Sequence, residues 1–474
     1  MLKEGEITME EKNGKLSFRT KLSYGVAAAG DAAIYNFVSI YFLFYLTTVA
    51  GIDPAKAGTL SSLSLLIGAV ATIFVGYLSD NSSNPHGRRR PFIRIGLPLF
   101  AVSFVLMHSK MAGGSILYYG IFATLFWSAY AIFYVPYTAL GAEITDDYDD
   151  RTRLRTFAAV GSSAGNYFGM VFPLLLVSLF GRLGKTTETS WSMTAVIIVL
   201  FAAIMILTML RATRGKERVT EPAAGAQKPG IFKDYLNAFQ IKPMKYLILS
   251  IIFTLAAYTI YLSSVAFFIT YNLNLPESYS STIFLVACIF IVIYAPFIDK
   301  VATAWGKKQS FILCMAITSV LMIVMNFIGI RSHIMLLIFA AVHTLGASVY
   351  WQLASAILYD LTEVIELKFN KRSEGTLSSL QSICQQVGTS FGMLIMGWIL
   401  KFSGFQEGMA AQSAGALSGV QFLLTIVPAV GYLIAAAMMF LFPLTKKRYE
   451  LVQKAIEEKN QTGQYSLDGL EQIV

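Results

Sequence analysis

The 474 residues are 55% hydrophobic and only 14% charged, with a mean hydropathy of +0.59. Soluble chains carry about 25% charged residues, so this chain lacks the polar surface that water demands and must be covered largely by lipid. The formal net charge of +9 does not point to nucleic acid, because the basic residues sit in short clusters between apolar stretches, as membrane topology requires.

The first 21 residues carry acids throughout and no apolar segment, so no cleavable leader is expected. A helix needs about 20 mostly apolar residues to cross the hydrocarbon layer. Such stretches fall at 22–49, 57–79, 92–110, 115–140, 155–181, 190–212, 244–272, 278–299, 308–330, 333–361, 375–402 and 414–443. With both termini inside, 31 of the 37 Lys and Arg lie on the inner side. The outer loops hold Lys56, Lys110, Arg182, Lys185, Arg331 and Lys401. This asymmetry predicts an N-in, C-in protein of the inner (plasma) membrane.

The expected organisation is an N-tail (1–21), a six-helix bundle (22–212), a linker (213–243), a second bundle (244–443) and a C-tail (444–474). Within the linker, TEPAAGAQKPG reads as flexible, and IFKDYLNAFQ after it could lie along the inner surface as an amphipathic helix. Asp80 and Gly87-Arg88-Arg89-Arg90 follow the second span; Asp299 and Gly306-Lys307-Lys308 follow the eighth, at an offset of 219. A duplicated six-helix half is the mark of the major facilitator fold, giving an all-α membrane protein of twelve helices. The repeated acid–glycine–base spacing suggests an inner gate of Asp80, Arg88 and Arg89 in one half and Asp299 and Lys307 in the other. Simple topological anchoring by the basic residues is the alternative.

Asp31 lies nine residues into the first span, about 13–14 Å deep at 1.5 Å per residue. A carboxylate at that depth is unfavourable unless paired, protonated or functional. Tyr24 and Tyr35 share its stripe. Trp127, Tyr130, Tyr134 and Tyr137 recur at i, i+3, i+7 and i+10 on the fourth span, hence on one face. Such rings can stack on the C–H faces of pyranoses while phenol hydroxyls bond sugar hydroxyls; a helix-packing seam would look the same. His343 lies at similar depth in the tenth span and is, with Asp31, a candidate proton carrier, or else a hydrogen-bonded packing residue. Trp351 on that span, and Gln381, Gln385 and Gln386 on the eleventh, complete the candidate substrate set. No Lys or Arg reaches mid-depth, which disfavours an anionic substrate.

Gly76–Ile93 (GYLSDNSSNPHGRRRPFI), Tyr134–Leu154 (YVPYTALGAEITDDYDDRTRL) and Leu22–Asp31 (LSYGVAAAGD) resemble the corresponding segments of the glycoside–pentoside–hexuronide:cation symporters, which include melibiose permease and sucrose transporters. The resemblance spans all twelve helices and implies a carrier of sugars or glycosides coupled to Na⁺ or H⁺. It also exposes departures. The cation-binding acids of the family's second helix fall on Gly68 and Thr72, and that of the fourth on Tyr134. The fifth-helix arginine falls on Ala159, the eleventh-helix lysine on Gln386, and the first-helix sugar acid on Ala32, beside Asp31. The expectation is a sugar or glycoside permease working by alternating access, proton-coupled or uniport, with the sodium site degraded. Efflux of an amphipathic compound, or a sugar sensor that moves nothing, are the rival readings. No nucleotide loop, metal-ligand spacing or nucleophile–base pair points to an enzyme, a metal or a cofactor. The three cysteines, Cys288, Cys314 and Cys384, form no disulfide framework.

Overall fold

The computed structural model describes residues 16–80, 82, 84, 87–110, 115–145, 148–216, 239–369, 374–409, 411–462, 470 and 473. The described residues contain twelve helices long and apolar enough to cross a membrane. They are α1 (Phe18–Phe44), α2 (Pro54–Asp80), α3 (Arg90–Met107), α4 (Ile116–Glu143), α5 (Tyr148–Arg182), α6 (Thr187–Ala212), α7 (Lys242–Phe267), α8 (Tyr279–Trp305), α9 (Lys307–Ile328), α10 (His333–Phe369) and α11 (Glu374–Phe402), then α12. The last is broken at Thr425 into Ala414–Leu424 and Ile426–Leu441. With both faces of a lipid-embedded helix apolar, span length rather than amphipathic stripe is the readable signal, and it located all twelve. The expected linker helix at IFKDYLNAFQ lies almost wholly outside the described residues.

The chain forms two compact units. The first comprises Met1–Ala223 with Pro276–Thr282 and Gln406–Ala410, and the second Ala224–Leu275, Ile283–Phe405 and Ala411–Val474. In the first unit α1 packs between α5 and α6, and α4 between α2 and α3. In the second, α7 packs between α11 and α12, and α9 between α10 and α12.

The α1–α5 contact explains a run of small residues. Gly161, Gly165 and Gly169 recur every fourth position on α5, opposite Gly25, Ala29 and Ala33 on α1. A Cβ on any of the three α5 glycines would overlap the carbonyl oxygen it faces. Lipid supplies no hydrophobic drive between helices, so close backbone approach must supply the attraction. The second unit repeats the device. A Cβ on Gly388 of α11 would stand 2.7 Å from Ile252 O of α7, and one on Gly392 2.8 Å from Ala256 O. Ala29/Ile252, Ala33/Ala256, Gly165/Gly388 and Gly169/Gly392 are each 223 positions apart. The helices that end in π-turns, Tyr45–Val49 after α1 and Phe268–Asn272 after α7, also begin 223 apart. The offset of 219 holds only in the loop after α2 and α8, where Gly87 (φ 94°) and Gly306 (φ 92°) make the same left-handed turn. Between those points the repeat has shifted by four residues.

A buried ion pair fastens the start of the first unit. Lys21 Nζ lies 2.6 Å from Asp150 Oδ1, both nearly inaccessible, and the Leu16 amide donates to the same carboxylate. Burial works against the charged carboxylate, but bonds from Lys21 and the Leu16 amide, with the charges of Lys21 and Arg153, hold its pKa below the usual range. The pair's stabilisation is therefore complete above the ordinary carboxylate pKa of about 3.9 and is lost as pH falls through the lower folded value. Asp150→Ala strands Lys21 in a buried position and should destabilise by about 3–5 kcal/mol. Thermal unfolding in detergent checks this: an unchanged midpoint near pH 7 would show the pair to be inert.

The C-terminal segment is more than a polar tail. It forms α13 (Lys446–Thr462), whose Val452 and Ala455 are buried. Tyr449 Oη donates to Glu363 Oε1 (3.0 Å) and Lys459 Nζ to Leu367 O (2.8 Å), which dock the helix on the end of α10.

Candidate substrate site

In the first unit, the residues singled out on α1 and α4 meet. Asp31 is 8% exposed, and its Oδ1 accepts a 2.6 Å hydrogen bond from Tyr130 Oη. Tyr130 stacks on Tyr134 (5.5 Å, 11°) and meets Trp127 edge-on (5.8 Å, 82°). Tyr35 closes the group, edge-on to Trp127 at 5.7 Å and 6.0 Å from Tyr130. A charge-assisted phenol–carboxylate bond is stronger than a neutral one and fixes the acid's rotamer. One carboxylate oxygen is thus oriented by Tyr130 within a wall of aromatic rings, which suits a ligand carrying both hydroxyls and C–H faces.

Tyr24 and Tyr137 belong to a different arrangement. Their rings stack at 5.0 Å, and each hydroxyl donates to the other residue's backbone carbonyl at 3.1 Å. Both phenols are consumed in joining α1 to α4, so the geometry favours a structural clamp for Tyr24. The composition-based reading also missed Asn36 and Asn166. Asn36 Nδ2 donates to Ala32 O (3.0 Å) and to Asn166 Oδ1 (2.6 Å), linking α1 to α5 just beyond Asp31. Its signal was Asn166 lying beside Gly165 on the close-packed face of α5.

The family positions that departed from the cation pattern are otherwise engaged. Gly68 lets α2 approach α4: a Cβ there would stand 2.6 Å from Trp127 Cβ. Thr72 Oγ1 donates to Gly68 O at 3.0 Å, within its own helix.

In the second unit, His343 is buried against aromatic rings. The Tyr261 ring stacks on it at 3.4 Å, Tyr258 lies parallel at 6.0 Å, and its Nε2 is 2.8 Å from Tyr432 Oη. This enclosure suits the packing reading of His343. Trp351 is 50% exposed. Gln385 Nε2 donates to Tyr350 Oη (3.1 Å) and Gln381 Nε2 to Ser355 Oγ (3.0 Å), which joins α11 to α10. Gln386 is half-buried one place on.

The basic residues after α2 and α8 have partners beyond those the spacing suggested. Arg88 and Arg89 both reach Glu143 Oε1 at the end of α4, each through Nε at 2.8 Å. Arg89 Nη1 also bonds Ser79 Oγ at 2.6 Å. The side chain of Asp80 lies outside the described residues. In the second unit Lys307 Nζ grips both oxygens of Asp360 on α10, at 2.6 and 2.8 Å, while Asp299 is exposed. The left-handed turn at Gly306 starts α9, and Lys307 in its first turn meets Asp360 rather than Asp299. Glu143 ends α4 and Asp360 lies within the last third of α10, so each half pairs its basic residues with an acid of its fourth helix.

The model of the family described as MFS/sugar transport protein matches residues 23–446. The YjmB symporter of Bacillus subtilis is 28% identical over 466 residues, covering 96% of this chain and 98% of its own. The inner membrane symporter YicJ of Escherichia coli is 27% identical, covering 90% and 91%. Among solved structures, a bacterial homologue of the human lysosomal transporter Spinster superposes with a TM-score of 0.66 at 16% identity, over 89% of this chain and 96% of that one; it shares the fold. Fold and family are those of membrane transporters and not of enzymes. With its duplicated six-helix halves and a match that runs from the first span past the last, the chain belongs to the MFS/sugar transport family.

Proposed function

We propose that this protein carries a neutral sugar or glycoside across the membrane by alternating access, with Asp31 as the principal hydroxyl acceptor. The observation that carries the reading is the Tyr130–Asp31 bond inside the wall formed by Tyr35, Trp127, Tyr130 and Tyr134. The clustering of basic residues on one side supports N-in, C-in orientation in the plasma membrane.

Coupling follows from what surrounds the deep acid. A sodium site needs several hard oxygen ligands, usually including carboxylates inside a membrane. Gly68 and Thr72 bring no carboxylate, and the Thr72 hydroxyl is oriented by its bond to Gly68 O. The proton is then the favoured coupling ion, with Asp31 as its carrier. His343, held between Tyr261 and Tyr432, would act by supporting the packing of α10 rather than by shuttling protons. Uptake into proteoliposomes under a sodium gradient, a proton gradient or neither tests this. Accumulation should follow the proton gradient and vanish in Asp31→Asn, while His343→Gln keeps its dependence on proton gradient. Sodium-driven accumulation that survives collapse of the proton gradient would overturn the coupling assignment. Downhill equilibration indifferent to both gradients would mark a uniporter.

The gate reading moves with the observed partners. Glu143 holds two arginines, so Glu143→Gln should release Arg88 and Arg89 together and raise labelling of a cysteine placed beside them by several-fold. Unchanged labelling and transport would leave those arginines as topological anchors.

A further inference from the structure

The repeat that relates the two halves carries one element into the substrate region that neither composition nor spacing revealed. The register of 223 between α1 and α7 is set by the glycine approaches to Ala29 and Ala33 on one side and to Ile252 and Ala256 on the other. The π-turns after the two helices give the same register independently. Under it Tyr35 falls on Tyr258, while Asp31 falls on Thr254. The acid is unique to the first half; the tyrosine is shared.

The partner of that tyrosine is shared as well. Trp127 on α4 and Trp351 on α10 lie 224 positions apart. Tyr35 meets Trp127 with centroids 5.7 Å apart at 78°, and Tyr258 meets Trp351 at 6.2 Å and 78°. The same edge-to-face pair thus occurs on equivalent helices of both units. The two tryptophans differ in exposure: Trp127 is 2% exposed and Trp351 50%. Trp351 is also held edge-on by Tyr350 (5.1 Å, 73°), whose hydroxyl accepts from Gln385. Two rings therefore fix the indole while half of its surface stays open. Tyr258 stands on α7, which after α1 is the most enclosed of the twelve spans, so the side of Trp351 that meets it is turned into the unit.

We propose that Tyr258 is a specificity-determining positioning residue, which holds the Trp351 indole so that its open face stacks on the C–H face of a pyranose ring. This deepens the sugar-transport reading and rests on it. An edge-to-face contact covers at most one face of the indole, which remains 50% exposed, and a flat apolar face is what the C–H side of a pyranose can cover. Gln381, Gln385 and Gln386 on the neighbouring helix supply the uncharged amides that equatorial hydroxyls would meet. Tyr258 itself acts through its ring, so its hydroxyl is dispensable for this role.

Counterflow of a labelled pyranoside in proteoliposomes separates the outcomes. Tyr258→Phe should keep KM within about twofold, and Tyr258→Leu should raise KM about tenfold with little change in the maximal rate. In a Trp351→Leu background, Tyr258→Leu should add nothing further, because its effect passes through the indole. Equal KM in Tyr258→Leu and the wild type, or additive effects in the double variant, would overturn the proposal. Trp351→Leu keeping its KM while Asp31→Asn loses substrate would overturn this inference alone. A wild type that exchanges no glycoside at all would overturn the transport reading with it.

Discussion

Asp31→Asn is expected to weaken sugar binding by more than tenfold while the protein inserts and purifies normally. The carboxylate has two oxygens, and Tyr130 engages Oδ1. Charge-assisted hydrogen bonds to hydroxyls contribute roughly 1.5–3 kcal/mol each, so loss of one or two accounts for a change of that size. Asparagine keeps the volume and one carbonyl acceptor, so packing between α1 and α4 should survive. Tyr130→Phe should weaken binding less, since it releases the carboxylate without removing it. Equilibrium binding of a labelled glycoside to the purified variants reads both effects. Retained affinity in Asp31→Asn, with only the pH dependence altered, would make Asp31 a proton carrier and not a sugar ligand.

The second large effect concerns packing. Gly165→Leu should sharply reduce the yield of folded protein, because even a Cβ at this position would overlap the Ala29 carbonyl. The helices could separate only by breaking the neighbouring contacts of Gly161 and Gly169, which are just as close. Overpacking a tight interface costs about 1–3 kcal/mol when neighbours can yield, and more where the obstacle is backbone. Gly388→Ala, where the facing oxygen of Ile252 stands 2.7 Å from the added carbon, should be milder. Thermal stability in detergent ranks the two; equal and small losses would mean that the interface is looser than the approach distances imply.

These contrasts show which features were legible in the sequence. The spans were, because a lipid-crossing helix announces itself by apolar length: 244–272 was expected where α7 and its π-turn run from Lys242 to Asn272. The aromatic face of α4 was legible too, since helical spacing alone places Trp127, Tyr130 and Tyr134 together. The acids Glu143 and Asp360 were not. Arg88, Arg89 and Lys307 are long enough to reach several acids, and contacts with Glu143 and Asp360 depend on where α4 and α10 run, which the spacing of the loop does not give. The helix α13 was hidden because only Val452 and Ala455 of its docking face stand out in a polar segment. Tyr258 was hidden by the four-residue shift in the repeat: at 219, Tyr35 has no aromatic counterpart, and the glycine contacts and the π-turns reveal 223.

The most direct test of the central claim is entrance counterflow with purified protein in liposomes preloaded with unlabelled glycoside. A secondary transporter should draw labelled glycoside in to a transient overshoot, and Asp31→Asn should abolish it at the same external concentration. Saturable binding of the glycoside without any overshoot would contradict the account and identify a sensor built on the transporter fold.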